Sequence, residues 1–265
     1  MRKVGAVMAL SQERSRLVRR LGTRKSRVRE GLVVVEGVRA AREALMARME
    51  VRFAVTTPRL GELTGGQDLA DILGDSGAEL VEVGDRDLSE LSDTEHHQGV
   101  LLVVKQPVTD LSEVVQAPRC LILDAIQDPG NVGSLVRAAR GFAVDGVIAL
   151  DGTVDVWSAK AVRASAGAVF TMPVVHARWE EVLPALSEEG VPVLVADSAG
   201  RSVREWRERQ RFALAVGNEG AGVRPEILEA AAGVVSVPMP GATESLNVGM
   251  AGAVLLFELT QEYKG

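Results

Sequence analysis

The chain has 265 residues, 46% of them hydrophobic and 25% charged, with 27 Gly, 10 Pro and a single Cys. The apolar fraction excludes a disordered polymer, and the length suits two domains, or one large one, with real cores. One cysteine cannot form an internal disulfide, so a stapled secreted scaffold is excluded and a reducing compartment is expected. No apolar run nears the roughly 18 residues of a membrane span. The opening MRKVGAVMAL only faintly suggests a signal peptide: its apolar stretch is short and runs into SQERSRLVRR with no small-residue cleavage pattern. The expectation is a soluble, intracellular, cytoplasmic protein with no membrane partner.

The net charge of −6 hides an asymmetry. Residues 1–30 hold ten Arg and Lys against two Glu, a net of +8, which leaves −14 on the other 235 residues. A basic segment on an acidic body is a local footprint for phosphate, and eight of those ten cations are Arg, whose planar fork suits phosphate. The plainer reading is a solvated surface helix.

In chain order, LVVVEG (32–37) reads as a buried strand, VRAAREALMAR (38–48) as an amphipathic helix and VRFAVTT (51–57) as a second strand. DLADILGDSG (68–77) is a helix and AELVEVG (78–84) a third strand. DRDLSEL (85–91) is a short helix capped by Asp85, and GVLLVVK (99–105) is a fourth strand. The proline-bounded QPVTDLSEVVQAP marks a boundary, giving a first domain over 1–106, a linker over 107–118 and a second domain over 119–265. There the alternation restarts: strands at 120–124, 146–150, near 172–175, and at 192–197, 212–217 and 234–239. Helices stand between them, and a last one closes the chain. Repeated β-to-α units with near-continuous apolar strands predict an α/β fold, with a mostly parallel sheet covered on both faces.

In such sheets ligands bind beyond the carboxyl ends of the strands. Three loops there are rich in Gly, Pro, Asn and Ser. In DAIQDPGNVGSLVRAAR (124–140), Pro129 and Gly130 turn the chain, Asn131 can cap the next helix, and Arg137 lies inside it. Arg137 either projects toward the strand-end cleft or is a plain surface Arg. In AVGNEGAGVRPEI (215–227), glycines permit close backbone approach, and Glu219 stands where a structural residue would be small. In SVPMPGATESLNVGMA (236–251), Ser245 and Asn247 can cap or hydrogen-bond. Neither G-x-G-x-x-G nor a P-loop occurs, and no Cys/His spacing matches a metal site, so no metal is expected. Cys120 opens an apolar strand and reads as core. A site of Asn, Arg, Glu and Ser can position and polarise, which suits transfer from an already activated donor.

These three loops, as D-P-G-N-V-G-S-L-V-R-A-A-R (128–140), V-G-N-E-G-A-G (216–222) and V-P-M…E-S-L-N-V-G-M-A (237–251), resemble the three motifs of the SpoU (TrmH) family of RNA ribose 2′-O-methyltransferases, in order and spacing. The basic R-K-S-R-V-R, G-L-V-V-V-E-G and H-Q-G-V-L-L-V (97–103) resemble that family's L30e-like substrate-binding domain. A-x-R-A-S-A-G, ending at Gly167, resembles a further family segment near the active site, or is a helix-packing turn. The resemblance implies an S-adenosylmethionine cofactor, a homodimer and a deep C-terminal trefoil knot, which general folding rules would not predict. It implies a catalytic set of Asn131, Arg137, Glu219, Ser245 and Asn247, with Glu219 holding Arg137 or a loop amide. Cofactor contacts would come from Ala196, Gly217, Asn218, Gly220, Val237, Met239 and Leu246. The implied activity is methyl transfer to a ribose 2′-hydroxyl of structured RNA, with large-subunit (23S) rRNA ahead of tRNA. A non-catalytic RNA-binding assembly factor and a base methyltransferase are the other readings. Arg19, Arg20, Arg24, Lys25 and Arg27 are the expected RNA-backbone contacts. Trp157, Trp179 and Trp206 either stack on bases or belong to the core.

Overall fold

The computed structural model describes residues 10–94, 96–206, 210–241 and 245–261. The signal-like opening through residue 9, Arg2 and Lys3 within it, and Glu244 of the third motif lie outside them. Ser11 and Thr23 open the two basic helices, α1 (Gln12–Arg20) and α2 (Arg24–Glu30), each side-chain oxygen accepting a backbone N–H three residues on. Gly31, in the left-handed region at φ 62°, ends α2. Then come β1 (Leu32–Glu36), α3 (Val38–Met46), β2 (Val51–Thr56), α4 (Gly66–Asp75), β3 (Leu80–Glu82), α5 (Asp85–Ser89) and β4 (Val100–Lys105). The chain continues through α6 (Leu111–Gln116), β5 (Arg119–Leu123), α7 (Pro129–Gly141), β6 (Gly146–Leu150), α8 (Ala159–Ala164) and β7 (Val174–Ala177). It ends with α9 (Trp179–Glu188), β8 (Val193–Ser202), β9 (Phe212–Val216), α10 (Pro225–Glu229), β10 (Gly233–Ser236) and α11 (Val248–Thr260).

Two compact units result. One comprises Met1–Pro107 with Trp157–Phe170, the other Val108–Val156 with Thr171–Gly265. The expected split differs from this in two ways. The stretch read as a linker over 107–118 contains α6, opened by a capping box between Asp110 and Glu113, with Val114 and Val115 in the second core. Residues 157–170, expected in the second domain, belong to the first unit.

The first unit carries a four-stranded sheet in the order β1-β4-β2-β3. Only β2 and β3 run parallel; β4 is antiparallel to both β1 and β2, so this sheet is mixed. Alternation along β4 sends Leu101 and Val103 to one face, against Val18, Leu21 and Leu88, and leaves Leu102 and Val104 on the other. The helix at 85–89 is capped by Gly84 rather than Asp85, which lies inside its first turn. Trp157 is buried, and so is Ser165, in a turn where Gly167 has φ 87° and an added Cβ would meet the Cβ of Glu43.

In the second unit all six strands are parallel, in the order β10-β8-β9-β5-β6-β7. Ile122, Ile148 and Ala213 face a core closed by α6, α9 and α10, with Trp179 inside it. On the other face α7 and α11 pack through Leu135, Val136, Leu255 and Leu259. Gly252 lets them approach, since a Cβ there would sit 2.3 Å from Leu135 Cδ2. Trp206 lies over Gly233 in the same way. Cys120 is fully buried, and burial, with Asp145 adding to it, pushes its thiol up to about 12, which makes it core and not a nucleophile.

Candidate active site

The strand order reverses beside β5, with β6 and β7 on one side and β9, β8 and β10 on the other. That crevice is where an open parallel sheet binds ligands. Asp128, not Asn131, caps α7: its carboxylate accepts the Asn131 N–H at 3.0 Å. Asn131 therefore sits in the first helical turn with its side chain free to bridge. Its Nδ2 donates to Glu219 Oε1 at 2.6 Å, and its Oδ1 accepts from Asn247 Nδ2 at 3.0 Å. Asn247 in turn caps α11, its Oδ1 accepting the N–H of Gly249 at 2.9 Å and of Met250 at 3.3 Å.

Both ends of this chain set the same polarity. A carboxylate only accepts, so Asn131 must offer it the amide nitrogen and keep its oxygen for Asn247. The helix N-terminus only donates, so Asn247 must give it the oxygen and turn its nitrogen to Asn131. The three side chains, drawn from loops after β5, β9 and β10, thus lock into one orientation.

The loop after β9 is tied down twice. Asn218 and Gly222 exchange backbone hydrogen bonds, and Asn218 Nδ2 donates to the Ala125 carbonyl at 3.0 Å. Farther along, Arg224 donates its backbone N–H at 2.8 Å and its Nε at 2.7 Å to Asp124, a carboxylate with no exposure. Gly217 lies so close to the return of this loop that a Cβ would fall 2.2 Å from the Gly222 carbonyl carbon. The Asp124–Arg224 pair carries no motif meaning in sequence; its one signal is a charged residue closing an apolar strand.

A cavity of about 430 Å³ opens at the ends of β8, β9 and β10. Of the residues expected at the site, Ala196, Gly217, Asn218, Glu219, Val237, Met239, Ser245, Leu246 and Asn247 line it, and Asn131 joins through its hydrogen bonds. Asp197, Ser198 and Ser236, not singled out from the sequence by residue, line it too. Gly220 does not line it but shapes the turn, its N–H donating to Asn218 Oδ1 at 2.9 Å. Arg137 also stands apart. It is exposed on α7, and its guanidinium makes no hydrogen bond or ion pair among the described residues, so Glu219 holds the Asn131 amide and not Arg137. No His/Cys/Asp/Glu group that could hold a metal occurs among the described residues.

On the first unit Arg19, Arg20, Arg24 and Lys25 are exposed. Arg27 is not: it is 5% exposed and donates to the Leu21 carbonyl at 2.7 Å, so it closes the turn between α1 and α2 instead of facing solvent.

A parallel α/β unit with a strand-end cavity lined by amides, serine hydroxyls and the Asp197 and Glu219 carboxylates offers groups that can position and polarise a ligand. Residues 118–257 match the SpoU rRNA Methylase family, and residues 13–102 match the MRM3-like substrate binding domain. The chain is 33% identical over 242 residues to the 23S rRNA (guanosine(2553)-2′-O)-methyltransferase RlmP of Bacillus subtilis (strain 168), covering 91% of this chain and 93% of that protein. It is also similar to the AdoMet-bound rRNA methyltransferase of Sinorhizobium meliloti (TM-score 0.82, 26% identity, 96% of each chain). A third likeness is to the SpoU methyltransferase AviRb of Streptomyces viridochromogenes in complex with AdoMet (TM-score 0.81, 27% identity, 93% of this chain and 97% of that one). The chain belongs to the SpoU methylase family.

Proposed function

We propose that this protein transfers a methyl group from S-adenosylmethionine to a ribose 2′-hydroxyl of large-subunit ribosomal RNA. The observation that carries this reading is the Glu219–Asn131–Asn247 chain at the rim of a 430 Å³ cavity. The cavity fits the cofactor: its volume lies within the roughly 300–1,000 Å³ of small-molecule sites, and Ala196, Gly217, Val237 and Leu246 leave a slot walled by small and apolar groups. Asp197 and Glu219 supply negative charge for a cationic ligand. Bound there, S-adenosylmethionine supplies a methyl group already activated on a sulfonium, so the protein needs no nucleophile of its own.

The protein's work is then alignment and stabilisation. Asn131 and Asn247 hold the loops of all three motifs in one register. Arg137 clamps the phosphate beside the acceptor ribose and stabilises the oxygen as its proton passes to a solvent water. A guanidinium does not deprotonate in proteins, so it serves as clamp and not as base. Gly217→Ala is expected to force apart the backbone of loop 217–222 and weaken adenosylmethionine binding at least tenfold, as calorimetry would read. Unchanged affinity would mean that this loop does not hold the cofactor.

In the same reading, a C-terminal trefoil knot gathers residues 194–200, 215–222 and 236–250 around the cofactor; what supports it is that described residues of all three stretches line one cavity. The first unit is the L30e-like RNA-binding domain, supported by its mixed four-stranded sheet under helices. A homodimer is supported by Met250, Val254 and Phe257 at 59%, 38% and 42% exposure, an apolar stripe at helical spacing on α11 that a second copy would cover. Sedimentation as a monomer at micromolar concentration would refute it. Cytoplasmic residence is supported by a free, buried cysteine. RNA backbone meets the exposed Arg19, Arg20, Arg24 and Lys25. Replacing the last three with Ala is expected to weaken RNA binding and lower its log–log salt slope by about one per lost phosphate contact. Equal slopes would remove these residues from the interface.

The deciding assay supplies labelled adenosylmethionine with unmodified 23S rRNA, 16S rRNA and bulk tRNA, followed by alkaline digestion. Label in alkali-resistant dinucleotides of 23S rRNA is the expected result. Label in mononucleotides would mean a base methyltransferase, and label in tRNA would move the substrate.

A further inference from the structure

Three segments meet inside the first unit: Glu36, which ends β1, with Gly37; residues 96–98 before β4; and Arg163 of α8 with Ala166 just beyond it. They enclose a second cavity, of about 230 Å³. Its floor is apolar, built from Ala40, Leu88, Val100 and Leu101, all buried. Deep in its wall is Glu36, 7% exposed, whose Oε1 accepts the Asp93 N–H at 3.0 Å and whose Oε2 accepts from Arg163 Nη1 at 3.0 Å. Burial holds this carboxyl above the usual glutamate range, against the opposing pull of the Asp93 amide and Arg163.

The rest of the wall is pre-set. Gln98 Oε1 accepts the Val38 N–H at 2.8 Å, which leaves its amide hydrogens for a ligand. A Cβ on Gly37 would come 2.8 Å from that Gln98 oxygen, so glycine keeps the amide in place. His97 accepts the Gly99 N–H at Nδ1, so Nε2 carries the proton donated to the Asp85 carbonyl and the ring is fixed. At the mouth stand Arg39 and His96, both exposed. On the other side of Glu36 a hollow of about 190 Å³ opens beside Arg19, and Glu36 and Ser92 line both spaces.

We propose that this cavity receives one unpaired nucleotide of the RNA substrate, with its base on the apolar floor and its phosphate at Arg39 and Arg163. The inference rests on the reading of the chain as an RNA-modifying enzyme. Size favours a single ring system, because the cavity is smaller than the roughly 300–1,000 Å³ of sites for larger small molecules. The chemistry favours a nucleotide. Arginine planes and imidazoles stack on splayed-out bases, the cationic mouth suits a phosphodiester, and a buried carboxylate accepts from base N–H groups that pairing would hide. Position favours RNA, since the adjoining hollow starts under a residue of the basic α1–α2 surface.

The test uses the full chain and two probes, transcribed 23S rRNA and a plain RNA duplex. The variant is Arg39→Ala with His96→Ala, two exposed side chains outside the Glu36–Arg163 pair; Arg52→Ala, exposed on β2, is the charge-matched control. The expected result is a loss of about tenfold or more in affinity for the transcript, the size of a lost stacking partner, with duplex affinity unchanged and the control silent. In addition, 4-thiouridine or 6-thioguanosine transcripts should photocrosslink to residues 88–101 in the wild type and not in the variant. Equal losses on both probes would reduce the pocket to general charge attraction and overturn the proposal. Unchanged transcript binding would overturn it as well, leaving Glu36–Arg163 a staple between segments. Neither outcome touches the methyl-transfer reading, which fails only if the wild type labels no RNA.

Discussion

Arg137→Ala is expected to lower kcat for methyl transfer about 10²–10³-fold, the usual cost of removing one charge-stabilising donor from a transition state. Thermal stability and adenosylmethionine affinity should stay at wild-type values. The separation follows from where the residue sits. Arg137 is exposed on α7, makes no hydrogen bond or ion pair among the described residues, and does not line the strand-end cavity, so its truncation removes nothing the fold uses. Steady-state kinetics beside a melting curve would check both halves. Arg137→Lys sharpens the test. A point-charged ammonium cannot reproduce a planar fork, so the clamp reading expects a large loss with no displacement of the pH profile. Near-full activity of the lysine variant with a shifted profile would instead make this position a base. A fall in Tm matching the fall in activity would show that the side chain is structural.

The parallel sheet of the second unit was legible because its strands are short apolar runs between turn residues; residues 146–150 form a strand with the bounds the pattern gives. Pairing direction was not legible in the first unit. β1 and β4 lie nearly seventy residues apart, and nothing in their apolar character says that they meet antiparallel. α6 escaped notice between prolines although the Asp110–Glu113 spacing announces a capping box. The capping of α7 shows a finer limit: Asp128 and Asn131 are both good caps three residues apart, and Pro129 in the first turn decides for Asp128. Arg27 looks in sequence like its basic neighbours, and only tertiary packing separates the one that holds Leu21 from those left in solvent. The loop residues that meet at the cavity were nameable because motif spacing survives in one dimension. The hydrogen-bond polarity linking Asn131, Asn247 and Glu219 is not, since it depends on a carboxylate and a helix end at opposite ends of one chain.

The same reasoning gives the largest stability effect to a pair that no motif contains. Arg224→Ala is expected to cost about 3–5 kcal/mol, because it leaves Asp124, a carboxylate with no exposure, without its cation. Asp124→Ala should cost less, since the Arg224 side chain is already 33% exposed and keeps part of its hydration. Replacing both, as Asp124→Leu with Arg224→Met, should recover much of the loss, so the double variant lies well short of the sum. The damage should also be local. Arg224 ends the loop that begins at Gly217, and its backbone N–H shares the Asp124 carboxylate, so losing the pair frees this wall of the strand-end cavity at one of its two anchors. Hydrogen exchange is expected to rise first across residues 217–224, and adenosylmethionine affinity to fall before the unit unfolds. Denaturation of the three variants, read beside exchange of that loop, checks the order. Additive losses in the double variant, or exchange spread evenly over the unit, would show that the pair is ordinary surface charge rather than the anchor that sets the shape of the strand-end cavity.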